Sequence, residues 1–107
     1  MENIDKRRTS EVAHIFKALS NPTRLFIVEK IYKNPTCVCD LTEMIGFDTS
    51  TVSKHLTVLK NAGVVQNTKK GNRVYDSLVC DCVIDSIHNL ETLIKMKKTH
   101  YEKLLTG

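Results

Sequence analysis

Residues 41–63, LTEMIGFDTSTVSKHLTVLKNAG, decide the fold. Val38, Leu41 and Ile45 fall on one helical face, and Gly46 supplies the left-handed stop that helix C-termini favour. Asp48 can cap a fresh helix, in which Val52, Leu56 and Leu59 form one apolar stripe that Gly63 closes. Two short helices joined by the tight turn Gly46-Phe47-Asp48 make the helix-turn-helix pattern.

Upstream, Val12, Ile15, Phe16 and Leu19 recur at helical spacing and predict a first helix over roughly residues 5–18. Asn21-Pro22 then reads as a cap followed by proline in the first helical position. The second helix carries Leu25, Phe26, Val28 and Ile31 and ends before Asn34-Pro35. Thr36 is the expected cap of the third helix. Downstream, VVQNT (64–68) and RVYDSLV (73–79) read as strands flanking KKGN (69–72), a hairpin with a basic tip. In the final segment Val83, Ile87, Leu90, Ile94, Lys97, Tyr101 and Leu104 step by alternating fours and threes, a heptad seam with one lysine in it. The alternative, an amphipathic helix packed on its own chain, leaves a stripe this long without enough core to cover it. The seam therefore predicts half of a homodimer interface, shared with the first helix. The expected fold is mainly α with a small β-hairpin wing: a winged helix-turn-helix, one domain over 1–107, dimerising through its N- and C-terminal helices.

Composition narrows the function. At 107 residues the chain buries only a modest core, which a second copy would enlarge. Hydrophobic residues make up 41% and charged residues 26%, ordinary values for a globular protein. No apolar run reaches the length of a membrane span, and MENIDKRRTSE has no signal-like apolar core. No membrane partner is expected, and the cytoplasm is the expected compartment. There, four cysteines point to metal or redox chemistry before structural disulfides. A net charge of +4 is compatible with nucleic acid without requiring it.

The helix opened by Asp48 shows Thr49, Ser50, Thr51, Ser53, Lys54 and His55 on its first turns. In a helix-turn-helix the start of the second helix reaches base edges in the major groove of double-stranded DNA. Hydroxyls can hydrogen-bond bases or phosphates there, and threonine methyls can touch thymine. Lys60, Lys69, Lys70 and Arg73 suit phosphate neutralisation, which positions a protein on DNA without reading sequence. Each feature alone also fits a plain solvated surface; their order along one chain favours the DNA reading.

ALSNPTRLFIV, CVCDLTEMIGFDTSTVSKHLTVLKNAGVV and KKGNRVYDSL resemble the ArsR/SmtB family of winged helix-turn-helix repressors, over about residues 10–100 and most strongly over 37–65. The resemblance implies a homodimer on an operator palindrome that leaves DNA when metal or metalloid binds or, in some members, when thiols are oxidised. No enzymatic activity and no obligatory cofactor are implied.

Cys37 and Cys39, and Cys80 and Cys82, form two Cys-x-Cys pairs and account for every cysteine in the chain. Positions two apart on an α-helix are about 200° apart, so neither pair can converge from within a regular helix. They could converge only if the helix start is distorted or unwound, and because a disulfide inside either pair would close a very tight ring it is not expected; bonding between motifs or between subunits is the more plausible covalent option. Both pairs lie near helix N-termini, where the dipole favours thiolate, the form that binds soft ions and the form that is oxidised. The resemblance adds that CVCDL matches the motif of arsenic, cadmium and lead sensors, with Cys37 and Cys39 as ligands. A third cysteine of the arsenic type would stand at Thr42. Cys80 and Cys82 match two zinc ligands of other members, whose partners would fall at Leu93 and Met96, so that set is broken. The remaining all-sulfur inventory suits arsenite, Cd(II), Pb(II) or Cu(I). Thiol-redox sensing is the alternative, and some of the four could be small buried hydrophobes. His14, His88 and His100 are read as surface residues. A small thiol oxidoreductase or metal chaperone is disfavoured, because no thioredoxin-like strand–helix order surrounds either pair. A protein-binding winged helix is disfavoured by the basic tip and the hydroxyl-rich helix.

Overall fold

Asn21 and Pro22 act as their order predicts. The computed structural model describes residues 3–106, with side chains from residue 5 onward, and in it α1 (Asn3–Leu19) gives way to α2 (Pro22–Lys33) at this pair. Asn21 is extended, and its side-chain oxygen accepts from the Arg24 N–H at 3.1 Å. The face that α2 buries is Ile27, Val28 and Ile31, while Leu25 and Phe26 are only half-buried, so Ile27 takes the core role expected of them.

The third helix, α3 (Val38–Ile45), is not capped by Thr36. Cys37 holds the N-cap position, extended at φ −81° and ψ 160°, and gives no side-chain cap. Thr36 is drawn away by two other sets of contacts. Its hydroxyl donates to the Asn34 carbonyl at 2.7 Å, and its backbone pairs with Asp76. Gly46 closes α3 at φ +83°, donating its N–H to the Thr42 carbonyl.

Asp48 then caps α4 (Thr49–Asn61), its Oδ1 accepting from the Thr51 N–H at 2.7 Å. The helix ends in a Schellman arrangement: Gly63, at φ +78°, donates to the Lys60 carbonyl and Val64 to the Leu59 carbonyl. Hydrogen bonds from Thr51 and Ser50 to the Asp48 carboxylate hold its pKa below the ordinary value. A group lowered in this way stabilises the fold above the ordinary carboxylate pKa and loses that contribution as pH falls through the lowered value. Asp48→Ala is expected to lower the melting temperature at pH 7 and to match wild type far better near pH 2. An equal deficit at both pH values would show that the cap does not act through its charge.

Strands β1 (Val65–Lys70) and β2 (Arg73–Leu78) pair antiparallel in register from Val65↔Leu78 to Lys70↔Arg73. β1 runs two residues further toward the turn than the sequence suggested, while Val64 and Val79 fall outside the strands, leaving a two-residue turn in which Gly71 takes φ +62°. Glycine at the first central position is what a twisted hairpin turn of this length requires. The core joins the apolar faces of α2, α3 and α4 to the hairpin base: Ile27, Val28, Ile31, Leu41, Val52, Leu56, Leu59, Val64, Val65 and, from α5 (Cys82–Thr106), Ile84. Beyond Ile87 the last helix leaves the core, and Leu90, Leu93, Ile94, Met96, Tyr101, Leu104 and Leu105 are exposed. No described helix is long and apolar enough to cross a membrane.

Candidate DNA-reading surface and cysteine site

Asp48 and the turn before it orient the start of α4 outward. Thr49, Ser50 and Lys54 are exposed, and Thr51 and Ser53 half-buried. The Ser50 hydroxyl donates to Asp48 Oδ1 at 3.1 Å, so the cap and the first polar turn form one unit. His55 is tied inward: its Nδ1 lies 3.4 Å from Arg24 Nη1, which leaves Nε2 for an outside partner. Desolvation, then the Arg24 charge, push the His55 pKa below its ordinary value, so the ring is neutral at pH 7. Arg24, which the sequence pattern does not single out, also donates from Nε to the Ala18 carbonyl at 2.6 Å and thereby links the end of α1 and the start of α2 to the middle of α4.

Lys69, Lys70 and Arg73 are exposed at the hairpin tip, and none of them pairs with a carboxylate among the described residues. Lys60 is different. Its ammonium lies 3.2 Å from Oδ1 of Asp76, which is fully buried, so it serves an internal pair and not the phosphate role expected of it. The sequence gives no hint of Asp76, because an aspartate in the strand RVYDSL reads as solvent-facing.

The cysteines bring the main correction. Cys37 and Cys39 are bonded to each other, with Cα atoms 5.4 Å apart. The expected 200° separation does not apply, because Cys37 is an N-cap outside the helix, and its extended backbone swings the side chain round to meet Cys39. The Asp40 carboxylate joins them, and the three donor groups lie within 4.8 Å of one another. Cys37 is buried, whereas Cys39 and Asp40 are exposed, so the cluster opens to solvent on one side. Among the described residues this is where three potential metal donors converge in one chain.

Cys80 and Cys82 stay free and exposed at the start of α5. The Cys80 sulfur accepts from the Cys82 N–H at 3.2 Å. The Cys82 thiol is pushed up, first by its hydrogen bond to Cys80 and then by desolvation, opposite to the lowering expected at a helix N-terminus. The Thr42 hydroxyl turns back onto the Val38 carbonyl, and Leu93 and Met96 are exposed on α5.

A helix-turn-helix with an outward polar second helix and a basic hairpin defines a winged helix-turn-helix, DNA-binding regulator of transcription. The family model described as "Bacterial regulatory protein, arsR family" matches residues 21–67. The HTH-type transcriptional regulator NmtR of Mycobacterium tuberculosis is 34% identical over 94 residues, 84% of this chain and 78% of that protein. A cadmium resistance transcriptional regulatory protein CadC homolog of Staphylococcus aureus is 40% identical over 78 residues, 72% of this chain; the match spans 64% of that relative's length. Among solved structures, a homodimeric winged helix-turn-helix DNA-binding domain from Mycobacterium bovis superposes with a TM-score of 0.79 at 23% identity, covering 89% of this chain and 88% of that one. The chain belongs to the ArsR family of bacterial regulatory proteins, a family of transcriptional regulators and not of enzymes.

If the hairpin tip lies along phosphates, Lys70→Ala and Arg73→Ala are expected to weaken binding to every duplex alike. Each should flatten the salt dependence, by about 0.9 log units for every phosphate left without its cation. Ser53→Ala is expected to weaken specific binding more than non-specific binding. A change of sequence preference confined to the hairpin variants would show that the groove assignment is wrong.

Proposed function

We propose that the protein is a homodimeric cytoplasmic repressor that holds an operator through α4 and the wing. Its release follows when Cys37 and Cys39, as the free dithiol left once a cellular thiol has reduced the bond between them, lose their protons and take up a thiophilic metal or metalloid such as arsenite, Cd(II) or Pb(II). The carrying observation is the convergence of the two sulfurs and the Asp40 carboxylate within 4.8 Å at the N-cap of α3. Two thiolates make a soft donor pair that selects such ions over Mg(II) or Ca(II). The relative's link to cadmium resistance points the same way. Thr49, Ser50, Thr51, Ser53, Lys54 and the outer edge of His55 face the major groove, while Lys69, Lys70 and Arg73 face phosphates.

Dimerisation is supported by shape. A compact chain of this length has a radius of gyration of about 13 Å. The protein measures 17.1 Å, because the exposed apolar half of α5 projects from the core.

A second reading rests on the Cys37–Cys39 bond itself. In it the switch is oxidation: each thiol gives up one proton and one electron to a two-electron oxidant, and the S–S bond forms. The two readings separate in one experiment. A fluorescent duplex that the protein selects from random DNA is titrated with reduced protein, with Cd(II)- or arsenite-treated protein, and with diamide-treated protein. Diamide takes up the two protons and two electrons and becomes the hydrazine. Weakened binding with metal alone supports metalloregulation; weakened binding with diamide alone supports the redox switch. Equal affinity in all three states would sink both.

A further inference from the structure

We propose that Asp76, through Lys60, is the positioning residue that couples the state of Cys37 and Cys39 to the DNA-reading helix; this rests on the cysteine switch above. Asp76 is 0% exposed, and Thr36 is the other buried polar residue among those described. Its backbone is locked to Thr36 by a reciprocal pair: Thr36 N–H to the Asp76 carbonyl at 3.0 Å, and Asp76 N–H to the Thr36 carbonyl at 2.9 Å. Thr36 immediately precedes Cys37, the buried half of the cysteine pair. The Asp76 side chain points to the other end of the device, with Oδ1 3.2 Å from the Lys60 ammonium in the last turn of α4. Asp76 is also central to β2, paired with Asn67, so it fixes the strand that carries Arg73. One residue thus holds the cysteine segment, the wing and the end of the recognition helix.

Stability alone does not explain an ion pair here. A buried pair is often no better than well-packed apolar residues, and its best-attested use is to specify one arrangement or to switch between two. Neither Oδ1 nor Oδ2 of Asp76 has a hydrogen-bond partner among the described residues, so the Lys60 ammonium, 3.2 Å from Oδ1, is what compensates the buried carboxylate. A displacement of Cys37 that carries Thr36 with it must break the reciprocal backbone pair or shift Asp76. Shifting Asp76 away from Lys60 leaves a buried charge uncompensated, which the fold avoids by moving the end of α4 as well. Strain at the thiols is thereby delivered to the angle of the helix that reads DNA.

The test compares wild type, Lys60→Met, Lys60→Arg and Asp76→Asn on the selected duplex, reduced and after Cd(II) or diamide. The quantity read is the ratio of the two affinities, which cancels any change in basal binding. Wild type is expected to give a ratio within the roughly 5- to 150-fold range of ordinary allosteric coupling. Lys60→Met and Asp76→Asn should collapse it to about twofold or less, whereas Lys60→Arg, which keeps the pair, should largely retain it. Backbone NMR of wild type gives an independent reading: treatment should shift the amides of Thr36, Asp76 and Lys60, and in Lys60→Met the shifts should stop at Asp76. A full ratio in folded Lys60→Met and Asp76→Asn overturns the coupling role and leaves the cysteine switch standing. No response in wild type overturns both. If the variants do not fold, an unmoved Lys60 amide in treated wild type overturns the proposal, and a moved one supports it.

Discussion

Ile94→Glu is expected to yield a folded monomer that binds the operator at least a hundredfold more weakly than wild type, an effect on the order of what separating two linked binding modules costs. Ile94 is 64% exposed and lies outside the core cluster, so the fold of one chain does not depend on it. Its neighbours on α5, among them Leu90, Leu93, Tyr101 and Leu104, are exposed apolar residues that gain only if a second copy covers them. Each such side chain contributes about 1.5–3 kcal/mol on full burial. In the proposed two-fold dimer a single substitution places two carboxylates in the apolar seam. Loss of the proposed dimer would also disconnect its two reading helices, and joining two binding modules is worth roughly 10²–10⁴ in affinity. Ile87 is a poorer probe, because it packs partly on the core and a charge there confounds folding with association. Sedimentation and far-ultraviolet circular dichroism, measured with DNA affinity, check the result. A dimer of normal mass with unchanged DNA affinity would falsify the seam.

The elements with strong local chemistry were readable in the sequence. Asn21-Pro22, Gly46, Asp48 and Gly63 each satisfy a backbone requirement that few other residues meet, and the structure uses all four as caps or stops. Tertiary competition decided the rest. Thr36 is a good cap by type, yet the partner it found is a strand residue forty positions away. Lys60 reads as a phosphate ligand in the sequence because nothing local reveals the buried Asp76 carboxylate beside it. Spacing alone argues against the Cys37–Cys39 bond, because it closes a tight ring and needs a helix start that is not regular. With the helix starting one residue later, the same spacing brings the sulfurs together.

That shift of one residue leads to the second large effect. Cys37→Ser/Cys39→Ser is expected to bind the selected duplex about as tightly as reduced wild type and to lose its response to inducer. The substitution keeps the size of the side chains and removes both soft donors, leaving Asp40 as a lone exposed carboxylate. A coupling of about 1–3 kcal/mol corresponds to a change of roughly 5- to 150-fold, and that change should vanish in the double variant. Cys80→Ser/Cys82→Ser provides the contrast. In a single chain no third donor closes on that pair among the described residues, and a hydrogen bond with Cys80 pushes the Cys82 thiol up. The variant lacking Cys80 and Cys82 should therefore keep most of the wild-type response to Cd(II), arsenite or diamide. If it loses that response while the variant lacking Cys37 and Cys39 keeps it, the sensor lies at the start of α5 and the convergence at α3 is structural. An oxidant response that needs one cysteine from each pair would instead require a bond between the motifs or between subunits. Non-reducing mass spectrometry of the treated dimer would then identify that bond.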